Sequence, residues 1–209
     1  RKCMDLVEAS GTPRTGMWAE CQIGIIRENH GEYEEALKLQ ERVLATARGT
    51  GDGRIALIAE MSMAEALAGL ARHQEARAIM DRIETGHGLE KMGAGMIRMF
   101  LQSRGRILLR DRTGDRKRKL EQALELFRKS RGCFEGTNSL TRIETSWNEA
   151  RTLEELGRPD EARIVVADAM IDMEKCLADI HSPLIREDLK RSPAFQGLYS
   201  LRDKLLHHG

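Results

Sequence analysis

The strongest constraint on this chain is a spacing. Three times a small residue stands twelve positions before an alanine: Gly24 and Ala36, Ala64 and Ala76, Ala150 and Ala162. A similar turn lies inside each pair, running His30-Gly31-Glu32, Leu70-Ala71-Arg72 and Leu156-Gly157-Arg158. Repetition of this kind marks a chain built from one supersecondary unit used several times. Each member of the pattern has a physical task. The small residue lets a second helix approach closely, and a turn glycine accepts the left-handed backbone that ends a helix. The alanine packs early in the returning helix. The predicted unit is an antiparallel helix pair.

A further unit is irregular. Gly105 is its small residue and Ala123 its alanine, eighteen positions apart, with the six extra residues expected in the polar turn Arg112-Thr113-Gly114-Asp115-Arg116-Lys117. Helical apolar periodicity continues on both sides, through Met96, Phe100, Ile107 and Leu108, then Leu120, Leu124 and Phe127. Helix pairs are therefore expected at about 15–48, 54–85, 91–135 and 140–178, separated by breaker-rich loops at 11–13, 49–53, 86–88 and 136–139. Residues 1–10 read as the second helix of a preceding, truncated unit. Ser182-Pro183 and Ser192-Pro193 each pair a capping serine with a proline suited to a first helical position. The predicted fold is all-α, an α-solenoid of about four pairs over 1–180, with capping helices of the same domain at 181–209. The last of these, Ala194 to Leu206, is the candidate end cap.

Composition agrees and excludes. Apolar residues are 41%, charged residues 32% and aromatics only 4%, which favours helix over strand and rules out disorder. No apolar run approaches the roughly 20 residues that span a bilayer, so no membrane role is expected. A net charge of +1 argues against a polyanion binder with a wholly basic surface. The chain opens on Arg1 without an apolar leader, and is read as a piece of a longer protein. Four separated cysteines, Cys3, Cys21, Cys133 and Cys176, form no CxxC pair and are expected as buried free thiols in a reducing compartment.

The residues also resemble a known family. Gly31-Glu32-Tyr33-Glu34-Glu35-Ala36-Leu37 and Leu156-Gly157-Arg158-Pro159-Asp160-Glu161-Ala162 resemble the turn and second-helix start of tetratricopeptide repeats, and Ile23-Gly24 resembles that family's Leu-Gly pair. The resemblance covers about residues 15–180. The alanines recur at 40, 47 and 39 residues, longer than the family's standard unit. Such long units resemble the repeat arms of large bacterial signalling and regulatory proteins. The resemblance implies a cytoplasmic interaction or sensor arm that binds a protein or peptide segment, another domain of the same full-length chain included. The alternative is a domain that binds a small-molecule or peptide effector. A closed pocket would favour the effector and an open trough the segment.

The family's register implies which residues line the binding groove. They are Trp18, Gln22, Ile25 and Asn29 in the first unit, and Met61 and Glu65 in the second. Gln102, Arg106 and Arg110 follow in the third, and Trp147, Asn148 and Arg151 in the fourth. Each tryptophan is either an anchor for a bound segment or a wedge between helices. Arg106, Arg110 and Arg151 either grip a carboxylate or phosphate in bidentate fashion or pair with Glu144, Glu154 and Glu155. Capture of a chaperone tail is disfavoured, because Cys21 and Ile25 stand where that version of the repeat needs Lys and Asn. The basic stretch 104–119 lacks interleaved aromatics for base stacking and reads as a solvated shoulder, which disfavours nucleic acid. Signatures for nucleotide loops, nucleophile elbows and HExxH metal sites are absent from the sequence, so no enzyme, cofactor or metal is expected.

Overall fold

The computed structural model describes residues 13–88, 92–133 and 140–207. The expected helix at 1–10 and the loop at 136–139 lie outside these residues. Ten helices and no strand occur among the described residues: α1 Pro13–Asn29, α2 Tyr33–Thr50, α3 Gly53–Gly69, α4 His73–His87, α5 Ala94–Arg110, α6 Arg116–Gly132, α7 Leu140–Glu155, α8 Pro159–Ala178, α9 Pro183–Lys190 and α10 Pro193–His207. The chain divides into two compact units, residues 1–92 and 93–209.

In the first unit α1 packs on α2, α2 on α3 and α3 on α4, while α1 also touches α3. The alanine in each returning helix, Ala36 or Ala76, is buried, as are Gly24 and Ala64. At Gly24 the close approach is used by Gln40: a Cβ there would lie 2.3 Å from the Gln40 amide nitrogen, which donates to the Cys21 carbonyl at 2.9 Å. Tyr33 fills a second notch, its ring 2.4 Å from where a Cβ on Gly69 would stand. The turns end α1 and α3 in the left-handed region, with φ 81° at Gly31 and 60° at Ala71. Asp52 then starts α3 by accepting from the Ile55 amide at 3.1 Å, satisfying one of the first-turn donors.

In the second unit α5 packs on α6, α6 on α7 and α7 on α8, and α10 closes over α7 and α8. Phe127 fills the notch at Gly105, 2.6 Å from a Cβ position, so any side chain there would displace a fully buried ring. Phe195, Leu198, Leu201 and Leu205 of α10 join Ile143, Ala150, Leu153, Val165 and Val166 in one apolar cluster. Burying each such large side chain contributes about 1.5–3 kcal/mol.

Three details differ from expectation. The extra six residues of the third pair are not all turn. The segment 111–115 has two residues more than 30–32, and α6 begins seven residues before Ala123 where α2 begins three before Ala36, so four more form an added helical turn. Asp115 makes this possible, capping the new start by accepting from the Arg118 amide at 3.0 Å. Second, α1 begins at Pro13 and α2 runs through Gly49 and Thr50, leaving only Gly51 and Asp52 as the loop. Gly51 stops α2 at φ 72°. Third, only Cys21 of the described free cysteines is buried; its thiol is pushed up to about 11 by burial, while Cys133 and Cys176 are half-buried. Cys3 lies outside the described residues.

Candidate functional site

Trp18 is 43% exposed on α1 and, with Arg14, Thr15, Arg54 and Ile55, lines an open recess of about 320 Å³. Arg14 pairs with Asp52 at 2.8 Å, so the recess is tied to the start of α3. Of the other residues expected to line a groove in this unit, Gln22 and Ile25 are half-buried and Asn29 is exposed. Met61 and Glu65 are buried, and so are not on a surface that a partner would meet.

The second unit concentrates charge. On α5, Arg106 and Arg110 are one helical turn apart and half-buried. On α7, Arg151 lies over the Trp147 ring at 5.6 Å. Burial first, then the like charges of Arg110 and Arg106, push the Arg151 guanidinium down to about 10, still protonated at neutral pH. Glu155 acts on Arg151 in the opposite direction, and Arg116 adds a further like charge. Glu155 is already held. Arg116 grips it through two parallel bonds, Nε to Oε1 at 2.7 Å and Nη2 to Oε2 at 2.8 Å. The same Arg116 donates to the Leu109 carbonyl at 2.9 Å, which anchors it on the end of α5. Glu154 is bonded to Lys204 of α10. Of the three carboxylates expected to pair with Arg106, Arg110 and Arg151, Glu155 is thus held by Arg116 and Glu154 by Lys204.

Trp147 is seated between helices. A Cβ on Gly197 would lie 2.5 Å from its indole, so α10 closes on one side of the ring and Arg151 covers another part. It packs against the apolar cluster and works here as a platform. Gln102 and Asn148 are buried beneath the same helices. Sequence reasoning missed Arg116, which reads as one more charge of a solvated basic stretch. It also missed Glu149, buried with Arg128 and Arg131 both at 3.3 Å; only the long-range packing of α6 on α7 reveals that ion cluster. Among the described residues no group of three or more His, Cys, Asp or Glu is placed to hold a metal, and no helix is long and apolar enough to cross a membrane.

Antiparallel helix pairs, each closed on a small residue and linked by a left-handed turn, define an all-α repeat protein of the tetratricopeptide-like, α-solenoid class. Solved structures agree. Two crystal structures of the nearly identical tetratricopeptide-like repeats of a Podosopora anserina kinesin light chain-like protein superpose on the chain. The first, a Q17M form, has a TM-score of 0.55 at 16% identity over 92% of this chain and 92% of that one. The second has a TM-score of 0.51 at 15% identity over 91% and 94%. At such identity the likeness carries the fold alone. No protein-family profile and no curated protein sequence matches the chain.

Proposed function

We propose that the chain is a non-catalytic interaction arm whose first-helix faces hold an extended or helical segment of another protein or domain. The observation that carries this reading is the group of half-buried arginines on α5 and α7 in the second unit, with Arg151 lying over the Trp147 ring. There a fixed aromatic platform and several planar donors stand together, the mixture that favours a binding hot spot. In the first unit the reading rests on Trp18, Gln22, Ile25 and Asn29; Met61, Glu65, Gln102 and Asn148 support the faces from beneath. The long units, 40, 47 and 39 residues between alanines, support placing the arm in a large cytoplasmic bacterial regulator.

Panning an unbiased peptide display library, then mapping the best binder by hydrogen exchange, tests the proposal. Protection is expected within 94–110 and 140–155. Protection confined to α6 and α8, or no enriched sequence at all, would overturn it. The alternative, an effector-binding domain, would use the recess at Trp18, whose openness speaks for a segment instead. Quenching of Trp18 emission by a small molecule with no change along α5 and α7 would establish that alternative.

A further inference from the structure

The open recess of the first unit carries a charge that its own walls leave unanswered. Among the described residues it is lined by Arg14, Thr15 and Trp18 from the start of α1 and by Arg54 and Ile55 from the start of α3. Arg14 pairs with Asp52 at 2.8 Å, and Asp52 also accepts from the Ile55 amide, so that carboxylate is committed. Arg54 is exposed, and its guanidinium makes no ion pair or hydrogen bond among the described residues. Two guanidiniums against one carboxylate leave a single positive charge over. Local stability does not account for its place. Neither helix has an acidic residue in its first turn, and both put an arginine there, where the helix dipole disfavours a cation. A departure of this kind, on the wall of an accessible recess, is what functional sites show.

Resting on the reading above, we propose that this recess receives a protein segment that lays an apolar side chain on Trp18 and sets a neighbouring Asp or Glu carboxylate on Arg54. The apolar contact follows from Trp18, a large ring left exposed, with Ile55 lining the recess from the adjoining helix. An exposed tryptophan beside an arginine is the composition that binding hot spots favour. The carboxylate follows from the charge balance. One negative charge neutralises the recess, whereas a phosphate ester of about −1.5 to −2 would exceed it. A side-chain carboxylate is favoured over a chain terminus because the recess is open and the surface of α1 runs on from it. Gln22 and Ile25, both half-buried, follow Trp18 at four and seven residues on one helical face, so a segment can cross the recess and continue.

The experiment uses the full chain and a labelled twelve-residue peptide with a Leu-Leu-Asp-Glu core in a glycine and serine frame, beside its Leu-Leu-Asn-Gln counterpart. Fluorescence anisotropy gives the affinities, and Trp18 emission in a Trp147→Phe background reports the place. The acidic peptide is expected to bind about fivefold more tightly, the upper end for an exposed ion pair. Arg54→Gln should remove that preference and Arg54→Glu should reverse it. Lys38→Gln, which takes one positive charge from the exposed side of α2, should leave it intact. Trp18→Ala should weaken both peptides alike, and thermal melts check that each variant keeps the fold. Equal binding of the two peptides, or a preference that survives Arg54→Gln, overturns the carboxylate. A phosphoserine version that binds more tightly than the acidic one overturns the choice of anion. Binding that leaves Trp18 emission unchanged overturns the place. Failure of these peptides while a display-selected peptide binds removes the recess and leaves the interaction arm standing; failure of every peptide removes both.

Discussion

Helices α3 and α7 occupy the same place in their units, and they are filled differently. Around Ala64, α3 buries Ile55, Leu57, Ile58, Ala59, Met61 and Leu67 beside Glu60, Ser62 and Glu65, a mainly apolar helix enclosed on nearly all sides. Around Ala150, α7 buries Ile143 and Leu153 but also Thr145, Ser146, Asn148, Glu149 and Thr152, a mainly polar set. Three polar groups of α7 are satisfied locally, Thr145 donating to the Thr141 carbonyl at 2.8 Å, Asn148 to Glu144 at 3.0 Å and Thr152 to Asn148 at 2.6 Å, while Glu149 pairs with Arg128 and Arg131 of α6. Side chains that bond back to their own helix add little stability. The backbone frame therefore tolerates either filling. One gives a helix whose work is packing, and the other gives a polar helix that can present Arg151.

Beside Ile143, Ala150 and Leu153, Trp147 is the largest apolar side chain through which α7 is held in the unit. Truncation by Trp147→Ala should cost about 3–5 kcal/mol in urea unfolding, because the indole fills the space over Gly197. A cost below about 1 kcal/mol would mean that α7 is held some other way. Ala64→Leu tests the opposite helix. Overpacking a site with no exposed surface should cost about 1–3 kcal/mol, and an unchanged midpoint would show that α3 is loosely packed.

The ends of the two helices sharpen the comparison further. Seven residues after the small residue, α7 is stopped by Gly157 at φ 71°, whereas α3 is stopped by Ala71 at φ 60°. Alanine in the left-handed region costs about 1–2 kcal/mol. Ala71→Gly should thus raise stability by about 1 kcal/mol and Gly157→Ala should lower it by a similar amount, in separate melts. Equal signs for the two would contradict the shared register. The smallest effect is expected at Thr152→Val. Exchange of a hydroxyl that bonds only to its own helix for a methyl of like shape should stay within about 1 kcal/mol.

The helix pairs were legible because the residues that define them are local. A glycine or alanine at the contact, a left-handed turn seven residues later and a buried alanine twelve residues later all lie within one pair. The third pair was harder to read because a polar insertion looks like loop until Asp115 is recognised as a helix start. The site was legible only in register. Sequence placed Arg106, Arg110 and Arg151 along successive first helices, but could not tell that Arg116, reaching across 39 residues, would take Glu155 from them. Nor could it tell that Trp147 meets Gly197, since a notch glycine fifty residues away leaves no mark on the helix that uses it. Burial of Met61, Glu65, Gln102 and Asn148 likewise depends on neighbours that the repeat pattern does not specify.

The chain has two tryptophans, one in each unit, and this permits a direct measurement of where a partner binds. In a Trp18→Phe background the emission of Trp147 reports on the Arg151 face alone; in a Trp147→Phe background Trp18 reports on the first unit. On titration with the best display-selected peptide, Trp147 emission should change saturably, with a midpoint that Arg151→Gln moves about tenfold. Binding seen by anisotropy that leaves Trp147 unchanged, while Trp18 responds, would contradict the assignment of the binding face to α5 and α7.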